Sequence, residues 1–533
     1  MIKKRIYLIS AIAVLFVALT CVYFIVIAPM LKDLTTNEPI KLLEGEAYAS
    51  STTVLMFEHQ PREAIQSIEV NNKAGSYKFF YDEKQKDFFI EGYLNAPYSK
   101  EMFSTLISNA GFPATMRRVT EKADDFSKYG LAESDNPSYY VLTTRKGVQH
   151  KVYIGNLIPT GAGFYARYEG RDAVYIVDGG VSQTLLGPVE NLITPMLFIP
   201  TSQTDYFTVK DFILLKYDDN KTNTDNGDEL GNIYENLDTK NVFVAITSKT
   251  KEEQTENGEK YEDFLNYQMY YPGIYNVSTS YDELLQSFMD FYGEAVIKLG
   301  KDDEVFTKED LKEFNLDKPA YEIFFTHKGI HNNILISKQN EDGSYYAYSP
   351  LFNTVILMAE EKFDFLEWEL IEYVEKPIFQ YNIKDISSIS ISSGSFEETF
   401  ILYTSEGETT TNPITGVTST ETILEVKLKS TDKYIDSPDN FRQLYMMLLT
   451  TNLVTTADVE DETGLDCLAT FKIITKEGKK LEYAFYPYST RRCFFTLNGK
   501  GEFYVLKDSI ENIVNAAQKV IKGETVDYQN PNG

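Results

Sequence analysis

One uninterrupted apolar run opens the chain, and beyond it the apolar positions follow two shorter periods. From Ile6 to Ala28 no charged residue occurs, and Pro29 follows. A run of that length matches a helix able to cross a hydrocarbon core of roughly 30 Å, so one transmembrane helix is predicted at 6–28. Lys3, Lys4 and Arg5 precede it, and the positive-inside rule then puts residues 1–5 in the cytoplasm and the bulk of the chain outside. A cleaved signal peptide fits less well, because the run is long and Ala28-Pro29-Met30 is a poor cleavage site. Cys21 is not preceded by the small residue usual before a lipidated cysteine, and reads as a membrane-embedded thiol. Residues 29–60 read as a stalk with one short strand at Val54-Leu55-Met56-Phe57.

After the stalk the same order of elements recurs three times. Each unit has a helix with one apolar stripe: Met102, Phe103, Leu106 and Ile107; Leu284, Leu285 and Phe288; Phe441, Leu444, Tyr445, Leu448 and Leu449. A turn signature follows, Tyr129-Gly130-Leu131, Phe314-Asn315-Leu316 and Thr463-Gly464-Leu465. Its middle residue, Gly130, Asn315 or Gly464, is of the kind that tolerates positive φ, which fits a structural turn. A hairpin comes next, turning at Lys146-Gly147, Lys328-Gly329 and Glu477-Gly478. Then come an aromatic strand (Phe164-Tyr165, Tyr345-Tyr346, Phe494-Phe495), an aliphatic strand and a closing helix near 181–198, 361–373 and 508–521. A further strand group lies ahead of each striped helix: Ile65–Val70 with Tyr77–Tyr81 and Phe88–Ile90; Phe207–Tyr217 with Val242–Ser248; Ile386–Ser392 with Thr399–Tyr403 and Thr422–Leu428. The expected fold class is therefore α+β: an N-terminal transmembrane helix followed by three related, mainly antiparallel, strand-rich units with packed helices. The units span 61–200, 201–376 and 377–525, with a tail at 526–533. The polar inserts 218–240, 249–262 and 405–420 interrupt strand pairs and read as long loops.

Composition adds to this picture mainly by exclusion. The chain has 38 Tyr and 34 Phe against one Trp, which leans towards strands. Its formal net charge of −28 repels phosphate backbones. With no basic stripe, nucleic-acid binding is not expected.

Candidate chemistry is sparse. Among the four histidines, His59 and His150 stand alone, and His327 and His331 flank a hairpin turn and do not share a helix face, so no metal site is expected. No nucleophile elbow, phosphate loop or dinucleotide fingerprint occurs. Asp225-Asn226-Gly227-Asp228-Glu229 fails a calcium-loop frame, which would put Ile233 at the twelfth position. A bridge between Cys467 and Cys493 would have to span two strand spacings, roughly 10 Å, beyond disulfide reach. Buried free thiols are expected, and pairing is the alternative that an oxidising compartment leaves open. The stretch Tyr267–Tyr275 reads as strand packing, with a sugar- or protein-binding surface as the alternative.

In unit one, Tyr129-Gly130-Leu131, the Lys146-Gly147 turn, Tyr153-Ile154-Gly155, Ile158-Pro159, Gly163-Phe164-Tyr165-Ala166-Arg167 and Ala173-Val174-Tyr175 follow one another. In this order the chain resembles the bacterial domain of unknown function 4340 family, and units two and three follow it more loosely. The resemblance implies an extracytoplasmic protein, often encoded beside ABC-type transporters and an auxiliary membrane protein. It supplies no catalytic residue and no cofactor. The expectation is a non-enzymatic accessory subunit of a membrane complex, touching lipid through 6–28 and an ABC permease or auxiliary subunit through its external part. The alternative is a binding module for a cell-surface polymer or peptide.

Overall fold

The computed structural model describes residues 40–199, 209–217, 241–248, 267–327, 329–411, 418–459 and 464–530. Residues 1–39, which include the predicted transmembrane helix at 6–28, lie outside the described residues, as do the inserts 218–240 and 249–262. Among the described residues no helix is long and apolar enough to cross a membrane.

The expected fold class is corrected. The protein is mostly β, built on antiparallel sheets. Five α-helices are present among the described residues, one of them the single turn Lys308–Leu311. Two of the three predicted closing helices fail for local reasons. In the first, Gly187, Pro188 and Pro195 break the run, leaving the 3₁₀ turns Gly179–Ser182 and Val189–Leu192. In the second, three 3₁₀ turns between Glu360 and Glu372 bring Phe363, Phe365, Leu366, Leu370 and Tyr373 into the core. A single α-helical stripe cannot turn five such closely spaced residues inward. Only the third unit closes with a full helix, Lys507–Lys522, which buries Ile510, Ile513, Val514, Ala517 and Val520 and ends at Gly523 in the left-handed region.

The described residues divide into two compact units, one made of those in 40–195 with 295–305, the other of those in 196–294 with 306–530. In the first, eight strands follow the order Asp87–Ile90, Gly75–Asp82, Ile65–Asn72, Ser138–Thr144, Gln149–Leu157, Gly163–Tyr168, Val174–Asp178, Thr115–Thr120. The helix Lys100–Gly111, capped by the Ser99 hydroxyl, covers one face with Phe103, Leu106, Ile107 and Ala110. Phe103 meets the Phe79 ring edge-on at 4.8 Å.

From residue 40 onward the expected stalk is instead part of this unit. Ala47–Tyr48 pairs with Val54–Leu55, and Val54, Met56 and Phe57 are buried. Glu46 is buried as well. It takes hydrogen bonds from Arg118 (2.7 Å), the Tyr175 hydroxyl (2.8 Å) and the Leu43 amide (2.8 Å). Arg171 reinforces the fastening through the carbonyls of Glu44 and Met56.

The second compact unit holds the second and third repeats around one continuous core. Its third-repeat sheet runs Thr418–Leu428, Phe396–Thr411, Ile386–Ser393, Ala469–Thr475, Lys480–Pro487, Arg492–Leu497, Lys500–Leu506, Leu453–Thr456, the same order as in the first unit. The expected loop at 405–420 is largely absorbed into this sheet, because the β-branched residues Thr409–Thr411 and Thr418, Thr420 and Thr422 extend the two strands of the hairpin. The boundary expected near Pro377 falls in an extended connector joining the two repeats. There Glu375 donates to Asn276, and Leu453 and Ile378 bond across the Lys376–Thr451 region. Residues 526–530 of the expected tail are partly held, with Val526 and Tyr528 amides bonded to Asn440 and Gln443.

Candidate functional site

The striped side of the first sheet is filled by core, so its other face is where this unit can meet something else. Strand alternation sorts the side chains. Tyr140, Leu142, Val152, Ile154 and Ala166 point inward and are buried, while Tyr139, Lys151, Tyr153, Tyr165 and Arg167 lie on the opposite face and are half-buried. The register places Tyr139 opposite Tyr153, and Tyr153 opposite Arg167, so three adjacent strands supply one continuous row.

The turn signature folds over one end of this row. Gly130 has φ of 66°, and a Cβ there would lie 2.4 Å from the Asn156 side-chain oxygen. Gly155 lets the turn settle on the sheet, since a Cβ at that point would stand 2.3 Å from the Tyr129 carbonyl. Leu131 is fully buried beneath the turn. Tyr129 meets Tyr165 edge-on at 5.0 Å. Phe126, from the same segment, brings its ring over Arg167.

The guanidinium of Arg167 is thereby bracketed, its carbon 4.4 Å from the centre of the Phe126 ring and 4.8 Å from that of Tyr153. Its Nε is buried without a hydrogen-bond partner, and no carboxylate pairs with it among the described residues. Lys151 is held differently. It lies 4.5 Å from the Tyr139 ring and 4.8 Å from Tyr153, and pairs with Glu169 at 3.3 Å. Its pKa is raised, first by the hydrogen bond with Tyr153 and then by Glu169. The Tyr153 hydroxyl also donates to Glu169, at 3.1 Å. The face thus carries one neutralised cation and one open one.

The second repeat shows what this position looks like as plain packing. Asn315 takes the left-handed turn with φ of 56°, Leu316 is buried, and Phe314 meets Tyr346 at 5.3 Å. Two residues beyond that tyrosine, where unit one has Arg167, stands Tyr348, buried with Leu311, Phe314 and Val355. In the third repeat the corresponding residue is Thr496, also buried, and Gly464 has φ of 82° while Leu465 is half-buried.

Other sequence-marked residues fall elsewhere. Cys493 is buried in its strand, where burial pushes its thiol up to about 12, and Cys467 is exposed; both thiols are free. The Tyr267–Tyr275 stretch is packed, with Met269 and Tyr271 buried, Tyr267 against Tyr281, and Tyr275 against Phe503 and bonded to Glu502. His327 is buried in a strand, whereas His331 bonds to Thr326. His59 lies edge-on to Phe112, and His150 stacks on Phe57 at 4.1 Å. The acidic stretch 225–229 lies outside the described residues. Among the described residues no group of three or more His, Cys, Asp or Glu is placed to hold a metal. A pocket of about 170 Å³ beside the helix Lys100–Gly111 is lined chiefly by apolar side chains, and the Asn109 amide at its rim is already bonded to Thr184.

In the sequence Arg167 stands out only as the last residue of Gly163-Phe164-Tyr165-Ala166-Arg167. Counting alternate positions from Tyr140 would have put Tyr139, Tyr153 and Arg167 on one face. The approach of Phe126, supplied by a loop, has no such signal.

Residues 90–268 match the model of the family described as Domain of unknown function (DUF4340), the family the residue order resembles. The matched span includes the row on the first sheet. No curated protein and no solved structure matches the chain.

Proposed function

We propose that this protein is a non-enzymatic accessory subunit of a membrane complex, such as an ABC-type transporter, and that it acts outside the cytoplasm by binding another protein. The observation that carries the reading is the half-buried row of Tyr139, Tyr153 and Arg167 with Tyr165 beside it. Tyr and Arg are enriched where protein interfaces concentrate their binding energy, Tyr because it supplies large contact area with few conformers to freeze and Arg because it adds a planar fork of donors. The transporter setting comes from the family resemblance alone, and is an argument by analogy. Affinity purification of the tagged chain in mild detergent tests it. Recovery of a permease or an auxiliary membrane protein in fixed proportion is expected, and a chain that migrates alone would overturn the reading.

A second reading, a module for a cell-surface polymer, draws on a different patch. Tyr403 and Tyr434 are 46% and 55% exposed on the third-repeat sheet, their rings 6.1 Å apart, with Ile423 also exposed. Sugar rings stack on such surfaces. Loss of binding to purified cell-wall polysaccharide on Tyr403→Ala with Tyr434→Ala would favour this reading.

A further inference from the structure

We infer that Arg167 and the rings around it form an acidic-residue receptor, which takes an Asp or Glu side chain of a protein partner. The choice of a protein over another carboxylate-bearing polymer rests on the accessory-subunit reading above; the site itself rests on geometry. The Phe126 and Tyr153 rings both lie within 5 Å of the guanidinium carbon, at 4.4 Å and 4.8 Å, so less side-chain freedom remains to be lost when a ligand arrives. Nε is buried and unpartnered, whereas the outer edge of the half-buried side chain has no acceptor from this chain among the described residues. A planar guanidinium with an open edge matches a carboxylate through two parallel hydrogen bonds.

Two further observations separate this arrangement from ordinary surface packing. The chain carries 79 Asp and Glu against 51 Lys and Arg, so acids to neutralise an arginine are plentiful. Lys151, on the neighbouring row, has one in Glu169. Arg167 is left open on the same face. The second repeat fills the equivalent place with Tyr348 and buries it, so neither the turn nor the sheet requires a cation there. Charge complementarity then names the occupant, since a guanidinium with no carboxylate of its own chain among the described residues is a local positive site that an acidic side chain neutralises.

The test uses the full chain in detergent and an array of dodecapeptides, each with a central Glu and varied flanks beside its Gln twin, with an oligogalacturonate as a further arm. Peptides that bind the wild type are expected to prefer Glu to Gln. They should weaken about tenfold with Arg167→Ala, and by a similar factor with Arg167→Tyr. The tyrosine variant copies the second repeat and should keep the fold, which unchanged thermal unfolding would verify. Arg167→Lys should restore only part of the affinity, because it keeps charge without the planar fork. Equal binding of Glu and Gln twins, affinity unchanged in Arg167→Tyr, binding of the oligogalacturonate in place of peptides, or no binding at all would each overturn the inference. If detergent purification recovers a membrane partner equally with wild type and Arg167→Tyr, the inference fails while the accessory-subunit reading stands.

Discussion

At the scale of single residues, Glu46 decides how firmly the chain between residues 40 and 57 is held. Its side chain is fully buried, and that of its partner Arg118 nearly so. Arg118 also pairs with Glu121 at 3.0 Å, so removing Glu46 leaves its charge partly compensated, while the Tyr175 hydroxyl and the Leu43 amide lose an acceptor, a loss of about 2–3 kcal/mol in all. Glu46→Ala should therefore lower the unfolding free energy of the first unit, measured by urea denaturation, by that amount, and a loss below about 1 kcal/mol would show the contact to be dispensable. Nothing local in the sequence marks this glutamate, whose side-chain partners Arg118 and Tyr175 lie 72 and 129 positions away. His150 makes a pH-dependent contribution. Burial against Phe57, with Tyr168 hydrogen-bonded to its ring, lowers its pKa from the usual 6.5. The unfolded chain then takes up the proton more readily than the folded one. The stabilisation is fully present above about pH 6.5 and is lost as pH falls through the depressed folded-state value. An NMR titration should find the His150 ring still neutral when an exposed histidine is half protonated; a midpoint at or above 6.5 would contradict this. Tyr281 gives the opposite kind of forecast. Its hydroxyl is fully buried with no hydrogen-bond partner among the described residues, so Tyr281→Phe should be neutral or stabilising by about 1 kcal/mol in thermal unfolding.

At the scale of elements, the turn signature was readable because its physics is local. A residue in the left-handed region is most often Gly, Asn or Asp, and Gly130, Asn315 and Gly464 stand at φ of 66°, 56° and 82°. The same reasoning predicts an asymmetry between repeats. Gly130→Ala should cost about 1–2 kcal/mol, since the new methyl meets Asn156 as well as an unfavourable φ. Asn315→Gly should change stability by less than about 0.5 kcal/mol, because it relieves the φ while loosening the unfolded chain. Comparable losses in the two variants, measured by chemical denaturation, would remove the turn from its proposed structural role. The strands that follow the striped helices were not readable. Thr115–Thr120 contains Arg117 and Arg118 and has no alternating apolar face, yet it forms the sheet edge because Val174–Asp178 has a side open to it. Its place is set by a partner more than fifty residues later, which no short-range period encodes. The predicted closing helices failed for a related reason. Five apolar residues between 363 and 373 can be read as helical, but all five are needed in one core, and 3₁₀ turns deliver them there.

At the scale of the whole molecule, the three repeats were legible and their grouping into two compact units was not. A repeat period reports common descent of segments; cooperative grouping depends on which cores merge, and side chains from Leu197 to Val526 form one core across the second and third repeats. Equally hidden was the strap Ala295–Val305, which lies within the second repeat in sequence and belongs to the first compact unit. Its fastening is specific. The Asp302 carboxylate accepts from the amides of Leu94 (2.7 Å) and Asn95 (3.0 Å), and its own amide donates to the Gly92 carbonyl at 2.8 Å. Leu299 is buried in the core of that unit. The amides of residues 92–96 should therefore owe part of their exchange protection to Asp302. Asp302→Ala removes an acceptor shared by two amides, and should speed exchange at 92–96 several-fold while leaving the strands Ser138–Thr144 and Gln149–Leu157 of the same unit unchanged. If exchange at 92–96 stays as it is, the carboxylate does not fasten the return segment; if those two strands accelerate equally, Asp302 acts on the stability of the whole unit and not on one local closure.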